Sequence, residues 1–120
     1  MIHTYKNGYN YKGFNYIYRP TFHNYEPELL YIRPLNDENI PNIIEFPNEI
    51  EGRPIRDINQ FIFLPHYISF DVSSIKCIIL PGNLYFSPQN IFYHNQFNSL
   101  KYVKLSNIWL KYNEDKWIII

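Results

Sequence analysis

The sequence predicts a mainly β chain, and three observations carry that prediction. Hydrophobic residues make up 46% and aromatic residues 19% of the 120 residues, a composition that favours a packed core over disorder. The chain holds 19 Ile and 12 Tyr but no Ala, so residues that favour strands replace the best helix former. Nine Pro and four Gly interrupt every candidate helical period. We therefore expect short strands separated by turns.

The first 42 residues predict two adjacent strands that cap the rest of the chain. Residues 14–19 alternate rings with polar side chains and stop at Pro20. Residues 28–33 stop in the same way at Pro34. Because proline has no N–H to donate to a ladder, each proline is typical of a strand end.

The next segment predicts a strand, a reversal and a second strand. Residues 43–46 form the first strand, which Pro47 closes. The reversal is expected at Glu51 and Gly52, where a positive φ costs least. A further short strand is then expected over residues 55–58.

Residues 44–105 contain a sequence repeat. Residues 75–81 and 100–105 share the pattern apolar-x-x-apolar-x-apolar and lie 25 residues apart. Residues 44–47 match residues 78–81 at an offset of 34. The segments between the strands, 55–63 and 84–92, both end in Ile-Phe. The repeat therefore predicts successive rungs of a solenoid in which Ile78 and Val103 lie side by side.

At these residues the chain resembles the BspA-type leucine-rich repeat family, with the block 44–58 as its best match. The resemblance covers residues 43–105 and implies a short solenoid of about two coils. It also implies a non-enzymatic surface for protein binding, with surface adhesion as the typical setting. Two departures are visible: Ile62 and Ile91 stand where the family has Ala, and an insertion over residues 64–72 predicts a protruding loop.

We thus expect a single domain over residues 1–120. Its parts are N-terminal capping strands (1–42), a repeat region (43–105) and a C-terminal tail (106–120). The apolar tail, Trp117 to Ile120, is expected to fold back as a closing strand. The alternatives are that the chain is a fragment of a longer repeat array and that it self-associates through the tail.

The strand pattern also predicts a binding face. If Ile75, Ile78 and Leu80 point inward, alternation turns other side chains outward in each rung. The outward residues are Cys77, Ile79, Tyr102 and Lys104. We take these four as candidate binding residues for a protein partner. The alternative is an ordinary solvated sheet face, and for Cys77 a small buried side chain.

The residues indicate no catalytic or metal chemistry. The four His are scattered, no nucleophile or phosphate-loop motif is present, and the neighbouring carboxylates are typical of solvated charges. We therefore predict no enzyme activity, no metal and no cofactor. Nucleic-acid binding is not expected either, because the net charge is zero and no basic run occurs. The alternative function is a carbohydrate-binding β module that uses exposed rings, with the candidates Tyr9, Tyr11, Tyr16, Tyr18, Trp109, Tyr112 and Trp117.

The sequence leaves the location of the protein open. No apolar stretch is long enough for a membrane span, and the first residues lack the apolar core of a secretory signal. A cytoplasmic location is the default expectation, whereas the family resemblance implies the cell surface. A single cysteine cannot form an internal disulfide, so the fold does not need an oxidising compartment.

Overall fold

The computed structural model describes residues 6–22, 25–86 and 97–120. Within these ranges the chain forms strands and turns without a helix, which confirms the mainly β prediction. The strands are β1 (Asn7–Tyr11), β2 (Phe14–Pro20), β3 (Pro27–Pro34), β4 (Ile43–Glu45), β5 (Glu49–Ile50), β6 (Arg53–Pro54), β7 (Asp57–Ile58), β8 (Cys77–Ile79), β9 (Tyr102–Leu105), β10 (Ile108–Asn113) and β11 (Lys116–Ile119).

The first sheet is four-stranded, in the order β1-β2-β3-β7. β2 and β3 pair antiparallel, which confirms that the two strands predicted from their proline ends are neighbours. β7 joins β3 in parallel through the pair Leu29 and Ile58. The strand expected over residues 55–58 is shorter than predicted, because only Asp57 and Ile58 reach the ladder.

A two-residue reversal separates β5 from β6, which pair as a small antiparallel sheet. Glu51 and Gly52 occupy it with φ values of 53° and 79°. Glycine tolerates such angles because it has no Cβ to clash with the backbone. The turn predicted at this position is therefore confirmed.

The second sheet has five strands in the order β11-β10-β9-β8-β4. β4, β8 and β9 run parallel, with Ile44 opposite Ile78 and Ile78 opposite Val103. These registers confirm the side-by-side placement predicted from the offsets of 34 and 25. β9, β10 and β11 continue the sheet as an antiparallel meander.

One hydrophobic cluster draws on both large sheets. Ile44, Ile78 and Val103 are fully buried and mark the inner side of the five-stranded sheet. Rings form a continuous column through this core: the centroids of Tyr16 and Phe46 lie 5.1 Å apart, and Phe63 follows Phe46 at 6.0 Å. Phe97 extends the column at 5.8 Å from Phe63. The column links the capping strands to both halves of the repeat region.

The insertion over residues 64–72 corrects one expectation. We expected a protruding loop, but Ile68 and Val72 are buried in the common core. Their apolar side chains hold the segment against the fold, while His66 and Tyr67, which precede Ile68, are exposed. Ile62, in the position of the family's Ala, is also fully buried. The second such position, Ile91, lies outside the described residues.

The last strand folds back on its neighbour. β11 pairs with β10 along its whole length, with Ile119 opposite Leu110, as expected for a closing strand. Ile119 and Ile120 nevertheless remain 73% and 63% exposed at the edge of the sheet. The predicted self-association through this edge stays a prediction.

Tyr16 leads to a testable pH dependence. Burial, followed by the nearby Glu45 carboxylate, raises the pKa of its phenol, and its hydroxyl donates a hydrogen bond to the Glu45 carbonyl oxygen. Above pH 10, the unfolded chain releases this proton while the folded chain keeps it. The free energy of unfolding should therefore fall as pH rises, with up to about 1.4 kcal/mol per pH unit from this group.

Urea denaturation between pH 7 and pH 11 measures the effect, with Tyr16→Phe as the matched variant. The variant should lose about 1 kcal/mol at pH 7 through the missing hydrogen bond, and should show a shallower decline above pH 10. Equal declines in both proteins would contradict the assignment.

Candidate functional site

The candidate site is the side of the five-stranded sheet that faces away from the core, which we call the outer face. The pairing registers define two rows of outer side chains across the strands. One row holds Ile43, Cys77, Tyr102, Lys111 and Ile118. The other row holds Glu45, Ile79, Lys104 and Trp109. The four candidates from the sequence therefore share one face, and their role in binding stays a prediction.

Two lysine and aromatic pairs occupy the middle of this face. The Lys104 Nζ atom lies 5.8 Å from the ring centroid of Trp109, its direct partner on β10. The Lys111 Nζ atom lies 6.0 Å from the ring of Tyr102, the direct partner of Lys111 on β9. Such contacts contribute about 0.5–1 kcal/mol at exposed sites. They hold amines and rings in an alternating arrangement on a rigid sheet.

Cys77 lies on the outer face but contributes little to its accessible surface. Its side chain is only 9% exposed, since it is small and lies between the larger Ile43 and Tyr102 in the same row. Burial, followed by the charge of Glu45, raises the pKa of the thiol. The thiol therefore stays protonated near neutral pH and is a weak nucleophile. This placement agrees with the alternative of a small buried side chain, whereas Ile79, Tyr102 and Lys104 are half-buried.

The acidic side chain of Glu45 lies at the β4 end of the outer face and contacts the β1–β2 hairpin. The Lys12 Nζ atom lies 2.8 Å from Glu45 Oε2, and the Tyr11 hydroxyl donates to the same oxygen at 3.1 Å. The hydrogen bond to Glu45 raises the pKa of the Lys12 ammonium. This contact joins the β1–β2 hairpin to the edge strand of the second sheet.

Sequence reasoning missed several members of this face. Glu45 occupies the same repeat position as Ile79 and Lys104, so the repeat itself could have placed it. Trp109 and Lys111 follow a tight turn in which Ser106 adopts a φ of 55°, and no repeat predicts their register. Lys12 reaches Glu45 only through tertiary packing.

The ring-based alternative loses one candidate. Tyr16 is fully buried and belongs to the core, so it cannot stack on a sugar. Trp109 is the exposed candidate, with 36% of its surface accessible. The remaining candidates are half-buried: Tyr9, Tyr11, Tyr18, Tyr112 and Trp117. Among the described residues, five rings are buried in the core, beside a larger number of isoleucines: Phe14, Tyr16, Phe46, Phe63 and Phe97.

The described residues also show where the titratable side chains lie. Glu26 and Glu28 form ion pairs with Arg56 at 3.0 Å and Arg19 at 2.8 Å. Within residues 6–22, 25–86 and 97–120, no group of three His, Cys, Asp or Glu side chains is placed to hold a metal ion. His3, His23 and His94 lie outside these ranges.

Comparison of the chain with protein-family models, with curated proteins and with solved structures found no significant match. The resemblance to BspA-type repeats therefore depends on the residues quoted above. In the part of the chain that the structure describes, no helix has the length and apolar character needed to cross a membrane.

Proposed function

We propose that this chain is a non-catalytic, leucine-rich-repeat-like scaffold whose outer face binds a protein partner. The observation that carries the proposal is the parallel ladder of β4, β8 and β9, in the register expected for successive repeats. A parallel ladder presents side chains in straight rows, and a row of outward side chains is the usual recognition surface of a repeat protein.

Hydrogen bonds at equivalent repeat positions support the solenoid. Ile75 N–H donates to the Val72 carbonyl at 3.1 Å, and Leu100 N–H donates to the Phe97 carbonyl at 3.2 Å. The same turn thus precedes β8 and β9, at the predicted interval of 25 residues.

Two further hydrogen bonds connect one proposed coil to the next at positions outside the parallel ladder. Tyr85 N–H donates to the Arg56 carbonyl at 3.0 Å, which joins the two segments that the sequence aligned between the strands. Gly82 N–H donates to Asn48 Oδ1 at 3.0 Å, again between positions 34 residues apart. Contacts of this kind are expected where coils stack along an axis.

The composition of the outer face supports a protein partner. Five strands about 4.8 Å apart give a face about 19 Å wide, enough for a small interface. Tyr102 and Trp109 lie near its centre, and aromatic residues of this kind dominate binding energy at protein interfaces. Backbone pairing on both sides of β9 and of β10 fixes the strands that carry these rings before binding, which lowers the entropy cost.

Cross-linking of a partner to the purified chain, identified by mass spectrometry, tests the proposal. The double variant Tyr102→Ala, Lys104→Glu should lose the partner that the wild type captures while it keeps its melting temperature within about 3 °C. The matched control is Tyr67→Ala, Arg33→Glu, which also removes one tyrosine ring and makes the same change in net charge, at exposed positions away from the outer face. Equal loss in the control, or unchanged capture by the test variant, would contradict the proposal.

The exposed Trp109 favours carbohydrate binding as a second candidate function. A flat indole can stack on the apolar face of a sugar ring. A glycan array distinguishes the two: the scaffold proposal expects no glycan to depend on Trp109. A glycan signal that Trp109→Ala abolishes would replace the first proposal with the second.

A further inference from the structure

The charges of this neutral chain are unevenly distributed over its surface. Lys104, Lys111 and Lys116 all occupy outer positions on β9, β10 and β11. No outer position of β8 to β11 carries an acidic side chain. The carboxylates nearest in sequence, Glu114 and Asp115, lie in the turn beyond the end of β10.

In the described parts of the chain, none of these lysines forms an ion pair with an acidic side chain. Among the described residues, the ion pairs join Lys12 to Glu45, Arg19 to Glu28, and Arg56 to Glu26, and none involves an outer lysine of β9 to β11. Lys104 and Lys111 instead lie over rings. Glu45, the acidic residue of the outer face, is already paired. The face therefore presents uncompensated positive charge next to aromatic surface.

We propose that the outer face binds an extended, acidic polypeptide segment of its partner. This inference rests on the proposed function and specifies the chemistry of the partner. Carboxylates would pair with the amines of Lys104, Lys111 and Lys116, while apolar side chains would pack on Tyr102 and Trp109. Complementary charge also accelerates association, and it rejects basic partners through like-charge repulsion.

The geometry indicates which acidic pattern fits. Outer positions recur at every second residue, about 6.8 Å apart along a strand. Lysine and ring alternate along β9, from Tyr102 to Lys104, and in the opposite sense along β10, from Trp109 to Lys111. An extended segment with the repeating order acidic-x-apolar-x, in which every second side chain faces the sheet, would thus meet amines and rings in turn.

Three fluorescein-labelled 12-residue peptides test the inference by fluorescence anisotropy. The Glu peptide repeats Glu-Ser-Leu-Ser, the Gln peptide repeats Gln-Ser-Leu-Ser, and the Lys peptide repeats Lys-Ser-Leu-Ser. The Glu peptide should bind with a Kd below about 1 mM, and the Gln peptide at least tenfold more weakly. Raising NaCl from 50 to 300 mM should weaken binding of the Glu peptide at least fivefold, since salt screens exposed charges. Quenching of tryptophan fluorescence that Trp109→Phe removes would place the peptide on the outer face.

The variant Lys104→Glu, Lys111→Glu should weaken binding of the Glu peptide at least tenfold. Arg33→Glu, Arg53→Glu makes the same change in net charge elsewhere and should leave binding within twofold. Circular dichroism confirms that both variants are folded. Equal binding of the Glu and Gln peptides, or no binding of the Glu peptide, would overturn the inference. Preferential binding of a heparin oligosaccharide would assign the face to sulfated glycans instead.

Different results would refute the protein-binding scaffold and the acidic segment. A protein captured in a manner dependent on Tyr102 and Lys104, without binding of the Glu peptide, keeps the scaffold and refutes the acidic segment. If no protein is captured in this manner and the Glu peptide does not bind, both the scaffold proposal and the acidic-segment proposal are refuted. Doubling of the molecular mass in sedimentation, reversed by Lys104→Glu, Lys111→Glu, would identify a second copy as the occupant and refute an acidic segment of another protein.

Discussion

Replacing Ile78 with alanine should lower the free energy of unfolding by about 3–4 kcal/mol, within the range for fully buried isoleucines. Ile78 has no exposed surface and lies in the central strand of the parallel ladder, with Ile44 on one side and Val103 on the other. Truncation would leave a cavity that these two strands cannot close without breaking their register. Urea denaturation followed by circular dichroism measures the change.

The neighbouring Ile79 provides the control. It belongs to the same strand but points to the outer face and is half-buried. Ile79→Ala should therefore cost less than about 1.5 kcal/mol, because less apolar surface returns to water. Equal losses for the two variants would mean that the inner and outer sides of the sheet are wrongly assigned.

Phe63→Ala should cost about 3–5 kcal/mol, the range for a fully buried ring. Phe63 contacts Phe46 and Phe97 edge to face, with interplanar angles of 80° and 83°. Edge-to-face pairs add about 0.5–1.5 kcal/mol to the area that they bury. Removing this ring interrupts the column that connects the capping strands to the second half of the repeat region.

Phe61 offers a matched comparison two residues away. It is exposed on the surface, so Phe61→Ala should change the free energy of unfolding by less than about 1 kcal/mol. If Phe63→Ala fails to fold, Phe63→Leu, which keeps most of the volume, should still be folded and less stable than the wild type. A Phe63→Ala protein as stable as Phe61→Ala would contradict the role of the ring column.

The ladder was the most predictable part of the fold. Its register follows from hydrophobic spacing, since a slip by one residue would turn Ile78 and Val103 toward water. The adjacency of β2 and β3 was predictable from their proline ends. The turn at Gly52 was predictable because few residues tolerate its backbone angle.

Features set by tertiary packing were not predictable. Alternation correctly placed Cys77 on the outer face but could not show that its neighbours bury it. The insertion over residues 64–72 was expected to protrude, yet Ile68 and Val72 anchor it to a core contributed by distant segments. The opposition of lysines and rings on β9 and β10 depends on a turn with no repeat to align it.

The ladder itself is tested most directly by methyl NMR on protein labelled at isoleucine and valine methyl groups. We predict cross-peaks from Ile78 to both Ile44 and Val103, because adjacent strands lie about 4.8 Å apart. The variants Ile44→Val and Val103→Ile assign these signals. Cross-peaks from Ile78 to neither residue, or an Ile78 methyl group accessible to a paramagnetic agent in solvent, would contradict the stacked repeats and the outer face built on them.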